Sequence, residues 1–262
     1  MSPEAGRERL YNDLSHLWPL VSPPEDYADE AQCWLDALQA RLGPGRHHIL
    51  ELGVGGGHNL SHLTGHYQAT AVDISPRMLE NSKRLNPGVE HIVGDMRTIR
   101  LGRRFKAVLI HDAISYMLSE DDLRAAFATA REHLEPGGVF ITAPDWFKEQ
   151  FAGPRVTHHT NRRSDVEVTT IEYVHDPDPA DTTIESLFFY IIKDARGTRV
   201  EQDRHLTGLF PERTWLRLLL GTGFEVEKRP YLPHEFGHEG CLLVGTLRQT
   251  IASSLPAPAD SP

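Results

Sequence analysis

The chain has 262 residues, of which 39% are hydrophobic and 24% are charged, as in an ordinary soluble globular protein. Its formal net charge of −10 argues against a broad nucleic-acid-binding surface, which would need clustered Lys and Arg side chains. No apolar run approaches the roughly 20 residues that span a membrane, and the first ten residues lack the apolar stretch of a secretory signal.

Residues 1–45 are predicted to form a helical cap. Two prolines, Pro23 and Pro24, separate a first helical stretch from a second one over about residues 25–42. Apolar residues recur in the second stretch at helical spacing, and the Gly-Pro-Gly run that follows ends it.

Short apolar segments and helical segments then alternate. The apolar segments read HHILEL, AVDI, EHIVGD, FKAVLIHD and GGVFITA, and they predict strands. Helices are predicted between them, at about residues 59–66, 76–85 and 120–134. This alternation predicts an α/β core with a mostly parallel sheet covered on both faces.

The pattern changes over residues 144–207, which are predicted to form an antiparallel insert. The segments DVEVTTIEYVH and TTIESLFFYIIKD alternate between apolar and polar residues, as antiparallel strands do. Residues 208–249 supply a helix, PERTWLRLLLGTGF, and a closing pair of strands that complete the core begun by residues 46–143. Residues 250–262 are low in complexity and predicted to be disordered.

A glycine-rich segment, ELGVGGG, follows the first strand and precedes a helix. Glu51, Gly53, Gly55 and Gly57 alternate with other residues, so the backbone can turn sharply and approach a ligand closely. The nicotinamide-dinucleotide pattern would require a glycine where His58 stands. That class of cofactor is therefore the less favoured alternative.

Two acidic residues follow the next strands at informative positions. Asp73 ends the second strand about 20 residues after the glycines, where a carboxylate can accept hydrogen bonds from both ribose hydroxyls. Asp95 ends the third strand and is followed by Met96, a pair that suits the exocyclic amine and the ring of adenine. The pattern predicts an adenosine-containing cofactor.

The motifs ELGVGGG, AVDIS, GDM and LEPGGVF resemble, in order and spacing, those of the class I S-adenosylmethionine-dependent methyltransferases. The resemblance implies a Rossmann-like fold with a seven-stranded sheet and S-adenosyl-L-methionine as the cofactor. It also implies a set of cofactor-binding residues. These are Glu51, Gly53, Gly55, Asp73, Ile74, Asp95, Met96 and His111.

Longer segments resemble a narrower family, the N,N-dimethyltransferases of nucleotide-linked amino sugars in macrolide pathways. They include GDMRTIRLGRRFKAV, HLTGLFPERTWLRLLLGTGFEVE and PDWF, which stands where that family has PWWF. The resemblance implies in-line methyl transfer to an amine of a small molecule, an insert over the pocket, and a possible homodimer. An oxygen or carbon acceptor remains the alternative within the same class.

Candidate catalytic residues lie in the loop after the fourth strand. Tyr116 matches the aromatic or histidine position of the family, and the neighbouring His111 and Asp112 could form an acid–base pair. Aromatic and histidine side chains elsewhere are predicted to line the acceptor site. These are Tyr11, Trp18, Tyr27, Trp146 and His158.

One further motif, PHEFGHEG, contains the His-Glu-x-x-His spacing of zinc peptidases in His234, Glu235 and His238. Glycines within and after it disfavour the helix that such a zinc site requires, so we predict a loop and no bound metal. A zinc hydrolase and a non-catalytic cofactor-binding protein are the alternatives from other functional classes. Cys33 and Cys241 show no disulfide pattern, which favours a cytoplasmic location.

Overall fold

The computed structural model describes residues 8–232 and 239–248, in which eleven strands form two sheets. The larger sheet is built from β1 (His48–Leu52), β2 (Gln68–Asp73), β3 (Glu90–Val93), β4 (Phe105–Ile110), β5 (Leu134–Thr142), β10 (Phe224–Tyr231) and β11 (Gly240–Leu247). Its strand order is β10-β11-β5-β4-β1-β2-β3. Five neighbouring strands are parallel, and β11 pairs antiparallel with both β5 and β10.

The smaller sheet is an antiparallel meander inserted between β5 and the last helix. It contains β6 (Arg155–Arg163), β7 (Val166–His175), β8 (Thr183–Asp194) and β9 (Gly197–Gly208), paired in chain order. The predicted α/β fold with a mostly parallel seven-stranded sheet and an antiparallel insert is confirmed.

Six α-helices accompany the sheets within the described residues. They are α1 (Trp18–Val21), α2 (Ala28–Leu42), α3 (His58–Leu63), α4 (Pro76–Leu85), α5 (Glu120–Glu132) and α6 (Glu212–Thr222). Helix α5 begins where Ser119 accepts a hydrogen bond from the backbone N–H of Asp122, and α6 ends at Gly223 in the left-handed conformation. No helix in this part of the chain is long and apolar enough to cross a membrane.

The large sheet has a buried apolar layer on each face. On one face Trp34 and Leu38 of α2 pack with Ile49 and Leu109 of the sheet, and all four are fully buried. On the other face, side chains of α5 and α6 such as Phe127 and Trp215 pack with sheet residues. Burial of both faces explains why the central strands are continuously apolar.

The N-terminal segment differs from the prediction of two regular helices. It consists of 3-10 turns at Arg9–Tyr11, Ser15–Leu17 and Pro24–Tyr27, with the one-turn helix α1 between them, before the regular helix α2. Leu10, Leu14 and Leu17 are buried against the small sheet, so tertiary packing holds this segment in an irregular path. The residues of PHEFGHEG from 233 to 238 lie outside the described part of the chain, as does the tail from residue 249.

Candidate active site

The carboxyl ends of the parallel strands border a cavity of about 520 Å³. Glu51 lies within β1, Asp73 ends β2, Asp95 follows β3 and His111 follows β4, and all four line this cavity. Ligands of open α/β sheets bind at this edge, because the strand order reverses beside β1 and leaves a crevice there. We call this space the cofactor cavity.

Glycines of the loop after β1 take conformations that other residues rarely adopt. Gly53 and Gly55 have φ angles of +74° and +55°, and a Cβ atom built on Gly53 would lie 2.3 Å from Cβ of Ala113. The loop is fixed to the next strand by Asp73. Its carboxylate accepts hydrogen bonds from the backbone N–H of Gly55 at 2.7 Å and of Ser75 at 2.8 Å.

Glu51 is a buried carboxyl group facing this cavity. Its side chain is 2% exposed, and its Oε2 atom has no hydrogen-bond partner among the described residues. Burial raises the pKa of Glu51 to about 8, because desolvation disfavours the charged form and the nearby acids Asp112 and Asp73 add to the effect. A cationic group placed beside Oε2 would satisfy this atom and favour its ionised form.

Asp95 has a protein partner that the sequence did not suggest. Arg97 forms an ion pair with Asp95 at 2.7 Å and a second one with Asp122 of α5 at 2.8 Å. The Arg97 side chain holds the pKa of Asp95 below its usual range, despite partial burial. The carboxylate is therefore ionised and fixed in place at the cavity rim, where it can still accept from a ligand donor.

His111 lies between two carboxylates. Its Nδ1 is 3.0 Å from Asp112 and its Nε2 is 3.0 Å from Glu30, a residue that sequence reasoning missed. Burial alone would lower the pKa of His111, but the two carboxylates outweigh it and raise that pKa well above its ordinary value. The two carboxylates therefore favour the protonated imidazole, which makes His111 a poorer candidate for a base than its sequence position suggested.

The same three residues bring potential metal-ligand atoms within 4.8 Å of one another. A metal-bound histidine offers a neutral nitrogen to the ion, whereas both nitrogens of His111 face carboxylates at hydrogen-bond distance. Tyr231 also donates to Glu30 at 3.2 Å. An internal ion pair accounts for this cluster.

Aromatic residues of the N-terminal segment cover the cofactor cavity. Tyr11, Trp18 and Tyr27, all predicted to contact the acceptor, line it. The Trp18 indole lies directly over the glycine loop, since a Cβ atom built on Gly56 would be 2.2 Å from its Nε1. The Ser75 hydroxyl holds Tyr11 in place, because its Oγ donates a hydrogen bond to the backbone carbonyl of Tyr11 at 2.5 Å.

A second cavity of about 400 Å³ adjoins the first, and Tyr11, Asp112 and Tyr116 line both. Its far wall is the small sheet, and Trp146 and Tyr231 contribute to its side. Its charged lining comes from four carboxyl groups among the described residues, with no lysine or arginine. They belong to Glu30, Asp112, Asp145 and Glu172. We call this space the acceptor cavity.

Asp145 stands where the resembling family has a tryptophan. Burial and, to a smaller extent, the nearby charge of Asp112 together raise the pKa of Asp145 to about 8. The backbone N–H of Asp145 donates to Ser115 Oγ at 3.4 Å. The carboxyl group of Asp145 makes this wall of the cavity polar.

A chain of hydrogen bonds leads from the junction of the two cavities into the small sheet. Tyr11 Oη lies 2.8 Å from Tyr116 Oη, Tyr116 Oη lies 2.5 Å from His205 Nδ1, and His205 Nε2 lies 2.9 Å from Asp203. His205 and Asp203 are each 3% exposed. Sequence reasoning missed both, although their i, i+2 spacing on a strand places them on one face of the sheet.

All but one of the predicted site residues line one or both of the two cavities. His158 is exposed on β6 and lines neither of them, so the structure does not support its predicted contact with the acceptor. Ile74 lines the cofactor cavity while 66% of its surface is exposed, which leaves an apolar face available to a ligand.

Comparisons with known proteins agree with this geometry. Residues 49–138 match the family model described as a methyltransferase domain. A dTDP-3-amino-3,4,6-trideoxy-alpha-D-glucopyranose N,N-dimethyltransferase of Streptomyces venezuelae is 33% identical over 205 residues, which make up 78% of this chain and 85% of that protein. A dTDP-3-amino-3,6-dideoxy-alpha-D-glucopyranose N,N-dimethyltransferase of Streptomyces fradiae is 29% identical over 87% of this chain and 91% of its own length.

Solved structures agree as well. The crystal structure of DesVI of Streptomyces venezuelae has a TM-score of 0.78 and 28% identity, and the match covers 90% of this chain and 97% of that one. An amino pentose methyltransferase from Micromonospora echinaspora, solved with S-adenosylmethionine bound, has a TM-score of 0.73 and 26% identity over 84% of this chain and 91% of its own. These matches confirm the fold and the cofactor that the sequence motifs implied.

Proposed function

Because this chain belongs to the class I S-adenosylmethionine-dependent methyltransferases, among the nucleotide-amino-sugar N,N-dimethyltransferases, we propose that its acceptor is an amine on an amino sugar or a similar small metabolite. The observation that carries the proposal is the contact between two cavities that share Tyr11, Asp112 and Tyr116. One cavity has the site for an adenosine cofactor, and the other has room for a small acceptor beside it.

We propose that the residues around the cofactor cavity hold S-adenosylmethionine. The unpartnered Oε2 of Glu51 suits the ammonium of its methionyl part, and Asp73 suits the ribose hydroxyls. Asp95 and Met96 suit adenine, while Gly53 and Gly55 let the backbone approach the ligand. When bound, this cofactor supplies a methyl group on a sulfonium that an amine nitrogen can displace.

The residues of the chain have three tasks in such a displacement. They align the amine with the methyl group, exclude water, and accept the proton that a protonated amine must lose. Tyr11 and Trp18 cover the cofactor cavity and limit access of water. Tyr116 lies at the junction, where its hydroxyl can orient the acceptor nitrogen.

The charge of the acceptor cavity supports an amine as the group to be methylated. Carboxylates of Glu30, Asp112 and Glu172 line it, and the described lining includes neither lysine nor arginine. A protonated amine is attracted into such a space, whereas an acidic group placed there is repelled. His111 balances part of this charge as an imidazolium paired with Glu30 and Asp112.

The proposal is tested in two steps. Calorimetric titration with S-adenosylhomocysteine and, separately, with NAD should give stoichiometric binding of the first alone. Turnover of S-adenosylmethionine should then be measured with dTDP-3-amino-3,4,6-trideoxy-α-D-glucose, with the same amino sugar lacking the nucleotide, and with the matching 3-hydroxy sugar. Methylation of an amino compound and not of its hydroxy analogue is expected. Methylation of the hydroxy analogue alone would overturn the amine assignment.

We also propose a homodimer in the cytoplasm. The dimer follows from the resemblance to the amino-sugar enzymes, and the compartment from two cysteines that are both free thiols. Sedimentation equilibrium distinguishes a particle of about twice the chain mass of 29.5 kDa from a monomer.

A further inference from the structure

We propose that His205, fixed by Asp203, is the terminal base that receives the acceptor's proton through Tyr116 and Tyr11. This inference rests on the proposed function, because it assigns the proton of the amine that is methylated. His205 is on β9, in the small sheet, and lies outside the motifs that identify the cofactor site.

The chain of hydrogen bonds ends at the carboxylate of Asp203. Burial opposes its ionisation, but His205 and the backbone N–H groups of Arg9 and Leu10 outweigh it and hold the pKa of Asp203 below its usual range. Those two N–H groups donate to its two oxygens at 2.8 and 2.7 Å. An ionised carboxylate can only accept hydrogen bonds, so His205 must carry its proton on Nε2.

The donors and acceptors beyond His205 follow from this position of its proton. The neutral form of His205 with its proton on Nε2 presents a bare Nδ1, which can accept from the Tyr116 hydroxyl at 2.5 Å. The Tyr116 oxygen in turn accepts from the Tyr11 hydroxyl at 2.8 Å. Every donor is then used, and the Tyr11 oxygen keeps a lone pair at the junction of the two cavities.

The proton of the acceptor passes along these hydrogen bonds to His205. The N–H bond of the acceptor ammonium breaks as its proton passes to the Tyr11 oxygen. The Tyr11 proton passes to Tyr116, and the Tyr116 proton passes to Nδ1 of His205. The amine is left neutral, both tyrosines are restored as neutral phenols, and the charge appears on an imidazolium beside Asp203. The proton afterwards leaves to solvent, so the chain is reset for a second methylation.

Other groups around His205 are consistent with this direction. The Phe188 ring packs edge-on against the imidazole at 4.8 Å and shields it, and the ring of Tyr11 lies 5.2 Å away. Further charged and titratable groups interact with the two tyrosines or with Asp203. They are Glu8, Arg9, Asp13, Tyr27, Asp73, Asp112, Asp145 and Tyr190. His111 is less suited to the same task, since two carboxylates favour its protonated form.

The kinetic test uses His205→Asn, whose amide oxygen can keep the hydrogen bond from Tyr116 without binding a proton, together with Tyr116→Phe and Asp203→Asn. With the amino-sugar probe, we expect kcat at pH 7 to fall about 100-fold in each variant. The affinity for S-adenosylhomocysteine should be unchanged. The deficit in kcat should shrink as pH rises towards the pKa of the amine, because the acceptor then arrives deprotonated.

Matched controls are His66→Asn and Asp165→Asn, which are exposed and line neither cavity. A deficit of the same size at every pH, or one that appears in KM alone, would mean that His205 only shapes the pocket. Full activity of His205→Asn at pH 7 would exclude the relay.

A second measurement needs no acceptor and separates this inference from the proposed function. In ¹⁵N-histidine-labelled protein, the His205 signals, identified by their loss in His205→Asn, should show the neutral tautomer with the proton on Nε2. Asp203→Asn should shift the population towards the other tautomer. A proton on Nδ1 in the wild type, or an imidazolium that persists to pH 9, would overturn the relay. Failure to methylate any amine, with the expected tautomer present, would instead refute the proposed acceptor.

Discussion

The carboxylate of Asp73 accepts a hydrogen bond from the backbone N–H of Gly55 at 2.7 Å. The residue proposed to bind ribose therefore also fixes the glycine loop that approaches the rest of the cofactor. Its other oxygen accepts from the N–H of Ser75, the residue that caps α4. The buried side chain of Asp73 thus connects the glycine loop, the start of α4 and the proposed ribose site.

Replacement of Asp73 should consequently cost more affinity than the loss of two ribose hydrogen bonds. A hydrogen bond to a charged group contributes about 1.5–3 kcal/mol, so we expect Asp73→Ala to weaken binding of S-adenosylhomocysteine at least 100-fold by calorimetry. Asp165→Asn is the exposed control. Normal binding by Asp73→Ala would show that the cofactor site is wrongly assigned.

Glu51 should make cofactor binding dependent on pH. Its pKa is about 8 in the empty protein, so it is mostly protonated at pH 7, and an ammonium beside it favours the carboxylate. Binding of S-adenosylhomocysteine at pH 7 should therefore release a proton, and affinity should increase from pH 6 to pH 8. Calorimetry in two buffers of different ionisation enthalpy measures the released proton.

Glu51→Gln should remove that proton release. If the variant releases as many protons as the wild type, another group is responsible and Glu51 does not face the ammonium.

The ion pair between His111 and Glu30 should contribute to stability. Removal of one hydrogen bond to a charged group costs about 2 kcal/mol, which corresponds to a decrease in Tm of roughly 4–8 °C for Glu30→Gln in a chain of this size. Because the folded pKa of His111 is raised, this stabilisation is fully present below its ordinary pKa of about 6.5 and is lost as pH rises through the folded pKa.

The decrease in Tm should therefore be larger at pH 6 than at pH 9.5. Differential scanning calorimetry at both pH values tests this, with the exposed Glu132→Gln as the control. An equal decrease at the two pH values would indicate that Glu30 acts through packing and not through the charge of His111.

Replacement of Gly56 by alanine should displace the Trp18 side chain from its position over the glycine loop. The Cβ atom in Gly56→Ala would lie 2.2 Å from Trp18 Nε1, so the indole must move away from the cofactor cavity. We expect about tenfold weaker binding of S-adenosylhomocysteine and a changed tryptophan emission, since an order of magnitude corresponds to about 1.4 kcal/mol of lost contacts.

Gly88→Ala is a suitable control, because nothing lies within 4 Å of the Cβ atom that it would add. Equal affinities of the two alanine variants would mean that Trp18 does not close over the bound cofactor.

The core of the fold could be predicted from the sequence because its signals are local. Apolar strand segments, the glycine loop and the acids at strand ends can each be recognised from a short stretch of sequence. The boundaries of the elements were predicted less accurately. The sequence predicts a helix over about residues 120–134, whereas α5 ends at Glu132 and β5 already begins at Leu134.

The acceptor side was harder to predict because it depends on contacts between distant residues. Glu30 meets His111 across 81 positions of the chain, and Tyr116 meets His205 across 89. A histidine in RHLTGLF looks like any partly buried strand residue until its neighbours are known. Likewise, the position of His111 in the sequence suggested an acid–base role. The contact with the carboxylate of Glu30, which argues against that role, is visible only in the structure.

The division of the site between the two sheets has a consequence for how substrate preference could diverge among related enzymes. The cofactor cavity is lined mainly by loops of the parallel sheet and by the N-terminal segment, whereas much of the acceptor wall and the His205–Asp203 pair come from the meander. Mutations at cavity-facing positions of that meander, such as Glu172 and Phe188, can reshape the acceptor cavity while the cofactor cavity stays intact. A lineage of such enzymes could therefore explore new acceptors by drift in one segment of about 54 residues, from Arg155 to Gly208, without first losing its methyl donor.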